Sequence, residues 1–349
     1  VSIRIVRVQR RSEFFTFLNL VDIIYGQNSP FALANKQKTS LLLHPGINPA
    51  LSHVHLALYI AYEHSKPAGR IACAVDEFCR KKKTGFIGAF EAVPKENITR
   101  SLMEKAEEWL RKQKCEVVIG PVLVNTNQQV GLLVNGPPPF AGHPLPYNPP
   151  YYRELLEGYG YQKLTDLLAY QWSTETTLPE NINRVARRAT CHPEVTVQPL
   201  NFSTPFYEQV KAVHYILNRS MERNWGYIPL TIAETRAILT HFKSIADPRL
   251  LLLARIGHQP AGICFCVPLP GKIENKPAFR LALLAVVPEF RQRGIDALLL
   301  KNCYSVLPRG SQVEISQIHE GNVAVLKMVQ RVTTQPPVRR YRVYQKNIP

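Results

Sequence analysis

Acidic residues are scarce in this chain of 349 residues: 26 Asp and Glu stand against 43 Lys and Arg, a formal net charge of +17. An excess of that size calls for an anionic partner such as a phosphorylated cofactor, an acidic carrier protein or nucleic acid. The basic residues are dispersed, however. The tightest runs are Arg80-Lys81-Lys82-Lys83 and Arg339-Arg340. Without a basic stripe interleaved with aromatics, nucleic acid is disfavoured. CxxC pairs are absent among Cys73, Cys79, Cys115, Cys191, Cys264, Cys266 and Cys303. An odd count without such pairs implies reduced, mostly buried thiols rather than a disulfide framework. No metal site is expected: His53 and His55 share strand spacing, but no further ligand cluster accompanies them. Long apolar runs are missing too, since no stretch approaches the roughly 18–20 residues of a membrane span. The opening VSIRIVRVQRRSEFF is too charged for a signal peptide. These absences point to a cytoplasmic protein with no membrane partner.

What is present is an internal repeat. Residues 56–75, LALYIAYEHSKPAGRIACAV, and residues 250–267, LLLLARIGHQPAGICFCV, each read as apolar run, Pro-Ala-Gly turn and apolar run. That is the pattern of a β-hairpin. Pro67-Ala68-Gly69 matches Pro260-Ala261-Gly262, and Val93-Pro94 matches Val287-Pro288 at nearly the same offset. Each repeat continues as strand (85–93, 281–287), helix and strand (116–120, 312–318). The first of these helices places Leu102, Ala106, Trp109 and Leu110 on one face. Strands alternating with helices imply α/β layers. The expected domains are 1–174, a linker over 175–200, and 201–349. A helix is predicted from Thr204 to Arg223, and Thr231 with Glu234 forms a capping box for the next. The first repeat carries an insertion, GPPPFAGHPLPYNPPYY, long enough to be a cover or binding loop.

The sharpest motif is LALLAVVPEFRQRGIDALLLKNC, residues 281–303. A strand runs into Pro288, and a basic turn with Gly294 opens an apolar helix. Turn amides at a helix N-terminus suit a pyrophosphate. Arg291 to Gly294 resembles the acyl-CoA signature of the GNAT (Gcn5-related N-acetyltransferase) superfamily. The chain also resembles a tandem-GNAT group of bacterial proteins over NPALSHVHLALYIA, GPVLVNTNQQVGLLVNG, PYNPPYYRELLEGYGY, NWGYIPLT and VEISQIHEGN. The resemblance implies two GNAT-like domains, each a mixed, mostly antiparallel sheet flanked by helices. It implies that Ala285, Val286 and Val287 splay from the neighbouring strand and bind the pantetheine and thioester of acetyl-CoA or another acyl-CoA. Amides of Arg291, Gln292, Arg293, Gly294, Ile295 and Asp296 would hold the pyrophosphate. Asp296 departs from the pattern, which wants Gly or Ala there, and its carboxylate would repel phosphate.

Direct attack of an amine on a thioester needs a base, an oxyanion donor and an acid for the thiolate. Glu314, with Ser316 on the same strand face, is the first candidate base, and Glu320 the second. The oxyanion donor would be an amide near Val286 and Val287. The tyrosine that many GNATs place seven residues after the match of Asn322 is replaced by Val329. Gly160-Tyr161 survives in the first repeat, where the basic glycine turn is missing. One acyl-CoA site is therefore expected, in the second repeat. Tyr147 and Asn148 of the inserted loop are candidates for a proton donor and an acceptor contact. Asn224, Trp225 and Tyr227 lie where GNATs bind the acceptor. The leading expectation is an N-acyltransferase acting on a small amine or amino acid. One alternative takes the acyl group from an acidic acyl-carrier protein; another is a non-catalytic pair that senses CoA or binds nucleic acid.

Overall fold

The computed structural model describes residues 2–81, 83–202 and 206–348. Lys82 of the basic run and the expected start of a helix at Thr204 lie outside them. The chain forms two compact units, divided between Leu167 and Leu168, and the first takes the chain back at Arg339.

In chain order the first unit contains β1 (Ile3–Arg7), α1 (Arg11–Asn19), α2 (Val21–Tyr25), α3 (Pro30–Leu42), β2 (Val54–Glu63), β3 (Lys66–Asp76), β4 (Thr84–Ala92), α4 (Glu96–Lys112) and β5 (Val117–Gly120). Short strands β6 (Val122–Leu123), β7 (Gln129–Val130) and β8 (Leu132–Asn135) follow, then α5 (Tyr152–Gly158) and β9 (Gln162–Ser173), which runs on past Leu167 into the second unit. The second unit adds α6 (Glu180–Thr190), β10 (Val195–Pro199), α7 (Phe206–Met221), α8 (Ile232–Ile245), β11 (Leu251–Ile256), β12 (Gln259–Ile273), β13 (Lys276–Val286), α9 (Ile295–Val306), β14 (Gln312–His319) and α10 (Val323–Val332). The last strand, β15 (Arg339–Asn347), belongs to the first unit.

The repeat is visible in the strand pairing. Hairpins β2–β3 and β11–β12 turn just before the two Pro-Ala-Gly triplets. The next strand pairs antiparallel in each unit, β4 on β3 and β13 on β12. The helix that follows crosses to a parallel neighbour, β5 beside β4 and β14 beside β13. These are mixed, mostly antiparallel sheets, as expected. In the first unit Leu102, Ala106, Trp109 and Leu110 of α4 are buried on the sheet. In the second, Ile295, Leu299 and Cys303 of α9 cover Ala261, Cys264 and Cys266. All seven cysteines are free, and Cys264 and Cys266 sit in that core. The Thr231–Glu234 capping box forms, with Glu234 N donating to Thr231 Oγ1 at 3.1 Å.

Two expected boundaries are corrected. Residues 175–200 do not form a linker: Ala186 and Ala189 of α6 pack on Leu298 of α9, and β10 pairs with β11 along its length. Nor does the second unit extend to 349. Tyr344 and Ile348 enter the first unit's core, and β15 pairs with β5 and β8. Asp166 holds β15 there, accepting from Arg340 Nη1 at 3.0 Å and Arg342 Nε at 3.0 Å. His53 and His55 also part company. His53 is buried with Nδ1 3.1 Å from Asp76, whereas His55 is exposed beside Glu77.

Candidate active site in the second unit

β13 and β14 begin as parallel neighbours, with the register running from Ala278↔Gln312 to Leu281↔Ile315. Both strands then continue, to Val286 and His319, without pairing to each other. Backbone groups along the departing strand edge can therefore bind a ligand instead of a neighbour. On its other side β13 stays paired with β12, and the register slips by one residue between Phe265 and Cys266. That slip inserts Ala282 as a bulge where the strands begin to part, and a bulge re-aims the backbone. Val287 N donates to Ala261 O at 2.9 Å, which removes this amide as an oxyanion donor.

The turn after β13 gives mixed support for a pyrophosphate. Gly294 adopts φ 77°, ψ 10° and caps α9, whose first-turn amides have no intrahelical partner. Arg293 is exposed beside the Phe290 ring, and Gln292 is exposed as well. Arg291, by contrast, is held by carbonyls: Nε donates to Val286 O at 3.2 Å and Nη2 to Ser220 O at 2.9 Å. Asp296 is exposed in the first turn of α9. The splay and the turn amides thus fit an acyl-CoA, with Arg293 rather than Arg291 as the exposed cation whose guanidinium is not held by backbone carbonyls in the way Arg291 is.

Gly294 has a second duty that the motif conceals. A Cβ there would lie 2.9 Å from the Val185 carbonyl oxygen and 2.9 Å from Val185 Cγ1, both on α6. The left-handed backbone alone costs an L-residue about 1–2 kcal/mol. Gly294→Ala is therefore expected to destabilise the protein by about 2 kcal/mol or more and to push α6 away, since the clash is with backbone. Thermal melting checks it; a melting temperature within error of the parent would show that α6 yields freely.

The candidate bases differ in access. Glu314 is 1% exposed, and Ser316 Oγ donates to its Oε1 at 2.6 Å. Arg280 in turn donates to Ser316 Oγ at 3.1 Å and to Ser316 O at 3.0 Å. The pair thus forms an internal polar cluster at the point where the β13–β14 pairing ends. Glu320 lies half-buried just past the end of β14. Beside it, His319 stacks on Trp225 with ring centroids 5.5 Å apart and planes 4° apart. Burial lowers the His319 pKa, against the pull of Glu320, so the neutral ring is favoured near pH 7. His319 Nδ1 accepts from Gly321 N at 3.2 Å, which leaves the proton on Nε2.

Of the other candidates, Trp225 meets the end of β14 through its stack on His319, and Asn224 is exposed nearby in sequence. Tyr227 is committed to structure, its hydroxyl donating to Asn218 Oδ1 at 2.6 Å. Asn322 caps α10 through Val325 N. Tyr147 and Asn148 serve their own unit. Asn148 bonds both backbone groups of Leu133, at 2.7 and 3.2 Å, and Tyr147 packs on Phe31 at 4.5 Å. His319 was missed because a lone histidine at a strand end carries no sequence pattern. Its stacking partner lies 94 residues away.

The first unit repeats the splay and fills it. Pairing of β4 with β5 ends at Phe86↔Ile119. Further along β4, Tyr152 Oη accepts from Ala92 N at 3.0 Å and Tyr151 Oη donates to Ala92 O at 2.9 Å. The cleft beneath is lined by Asn35, Glu91, Tyr147, Asn148 and Tyr152 among others.

This order of hairpin, splaying strand, helix and parallel neighbour, present in both units, is the tandem GNAT fold. The chain superposes on a tandem GNAT protein of the clavulanic acid biosynthesis pathway with a TM-score of 0.59, at 14% identity, covering 100% of this chain and 99% of that one. A GCN5-related N-acetyltransferase from Anabaena variabilis gives 0.55 at 10% identity, covering 99% and 73%. In sequence the chain is 28% identical over 340 residues to the bacterial ceramide synthase of Caulobacter vibrioides, covering 87% of each. It is 27% identical over 336 residues to Protein YghO of Escherichia coli K12, covering 86% of this chain and 84% of that protein. No family model matches the chain.

Proposed function

We propose that the protein is an N-acyltransferase that uses acyl-CoA, with its reaction centre where β13 and β14 part in the second unit. The observation that carries this reading is the early end of the β13–β14 pairing beside a bulge at Ala282, directly before the Gly294 turn. When bound, acyl-CoA supplies an acyl group activated as a thioester. Strand β13 would hold the pantetheine arm along its open edge, while Gln292–Asp296 amides and Arg293 would take the pyrophosphate. Glu320 would take the proton of the incoming ammonium, the second proton lost from nitrogen as the amide forms would pass to the departing thiolate, and the neutral His319, its ring stacked on Trp225, would offer that sulfur a hydrogen bond from Nε2–H. Glu314 and Ser316 stiffen the strand behind them.

The similarity to a ceramide synthase along most of both chains moves the proposed acceptor from a small amine to a long-chain amino alcohol. Calorimetric titration with palmitoyl-CoA, acetyl-CoA and free CoA, followed by thiol release with sphinganine or with lysine as acceptor, tests donor and acceptor together. Tight binding of palmitoyl-CoA and turnover with sphinganine support the reading; turnover with lysine alone returns it to small amines. A second reading, in which an acidic acyl-carrier protein is the donor, draws on the net charge of +17 and on Asp296 in the turn. Acyl transfer from a loaded carrier without binding of any CoA would select it.

A further inference from the structure

The three N-terminal helices carry an apolar surface that acyl transfer does not use. Among the described residues eleven large hydrophobic side chains are exposed, and five fall within residues 15–47: Phe15, Ile23, Leu33, Leu41 and Ile47, each 47–53% exposed. Their spacing follows the helices. On α3, Leu33, Gln37 and Leu41 recur every fourth residue and are all exposed, so they form one stripe. On α1, Arg11, Phe15 and Asn19 do the same. The opposite sides of these helices are turned inward, through Phe17 and Leu18 on α1 and Ala32 and Thr39 on α3. The inner sides of α1 and α3 are thus accounted for, and Phe15, Leu33 and Leu41 remain exposed on the outer rows.

Charge around that surface is one-sided. Residues 1–47 contain six Lys and Arg against two acids. Both acids are engaged internally: Glu13 accepts from Gln9 N at 2.7 Å and Arg10 N at 2.9 Å, and Asp22 pairs with Lys36 at 2.6 Å. Arg4, Arg7, Arg10 and Arg11 are all exposed. The Arg11 guanidinium lies 5.6 Å from the Phe15 ring centroid, so cation and apolar ring occupy neighbouring positions on the same helix face. Exposed apolar side chains on a segment with a net excess of cations, one of them Arg11 beside Phe15, complement a bilayer with anionic headgroups, where the side chains enter the acyl boundary and the cations meet phosphate. A soluble protein partner would have to match both features, whereas an anionic lipid surface does so by its composition. No helix among the described residues is long and apolar enough to cross a membrane.

We infer that α1–α3 dock the protein peripherally on an anionic lipid surface through Phe15, Leu33 and Leu41, with Arg10 and Arg11 at the headgroup level. This departs from the expectation of no membrane partner. It does not depend on the acyl-transfer reading, because its readout is vesicle binding.

Co-sedimentation of the full chain with phosphatidylcholine vesicles, with and without phosphatidylglycerol, tests it. Binding is expected only with the anionic lipid and should weaken with salt. Phe15→Ser/Leu33→Ser/Leu41→Ser is expected to weaken it by roughly a hundredfold, because each removes an exposed apolar group that would enter the acyl boundary. Melting temperature should hold, since all three are exposed. Arg10→Glu/Arg11→Glu should weaken binding to anionic vesicles by roughly tenfold or more. Tyr207→Ser/Tyr215→Ser, which removes comparably exposed rings from α7, should leave it unchanged. Equal binding by the triple variant overturns the proposal, as does no binding to either vesicle. So does a solution dimer that the triple variant dissolves, which would make a second copy the occupant.

Discussion

Arg70→Met is expected to destabilise the protein by about 3–5 kcal/mol, as found when one partner of a buried ion pair is removed. Arg70 is fully buried on β3. Its Nη1 donates to Phe17 O at 2.7 Å and Leu18 O at 3.3 Å, at the end of α1, and its Nη2 donates to Asn35 Oδ1 at 2.7 Å on α3. Glu91 lies 3.7 Å away on β4 and accepts from Tyr25 Oη, Asn35 Nδ2 and Tyr152 Oη at 3.0, 2.7 and 2.7 Å. The cluster therefore pins all three N-terminal helices to the first sheet. Burial raises the Glu91 pKa and Arg70 opposes that rise. Without Arg70 the desolvation is opposed only by the hydrogen bonds from Tyr152, Tyr25 and Asn35, and the Glu91 pKa rises further. A carboxyl whose folded pKa lies above its unfolded value contributes fully below the unfolded value and loses that contribution as pH rises through the folded one. The variant's deficit should thus be largest near neutral pH and shrink toward the ordinary carboxyl value of 4.5. Glu91→Gln added to Arg70→Met should recover part of the loss, because it removes the stranded charge. Urea denaturation at several pH values measures this; strictly additive, pH-independent losses would show that the two residues do not act as a pair.

The repeat made much of the fold legible. Pro-Ala-Gly at two places marked both hairpins, and the apolar strand before Pro288 marked β13. What stayed hidden depends on partners distant in sequence. Nothing local in residues 175–200 says that Ala186 and Ala189 meet Leu298, and a polar stretch with three prolines reads as a linker. Likewise, β15 follows α10 and would be assigned to the same unit, but Asp166 and the first unit's core receive it. The Gly294 motif was readable, yet its crowding by Val185 was not. At the proposed centre, strand alternation placed Glu314 and Ser316 on one face. It could not say that this face is closed to solvent, nor that Trp225 would reach His319.

That difference in access sets the largest expected effect on catalysis. Glu320→Gln should lower kcat by about 10²–10³-fold, within the range for loss of a general base, while melting temperature holds. The half-buried position of Glu320 beside the Trp225–His319 stack gives it access that Glu314 lacks. Glu314→Gln should show the reverse pattern: a loss of about 1–3 kcal/mol in stability, because a buried carboxyl acceptor of the Ser316 hydroxyl is replaced, with a smaller change in turnover. Reading both variants by single-turnover acyl transfer and by melting separates a group that handles the acceptor's proton from one that stiffens the strand. Should Glu320→Gln turn over like the parent while Glu314→Gln is stable and inactive, the base is Glu314. The site would then have to open along β14 to admit the amine.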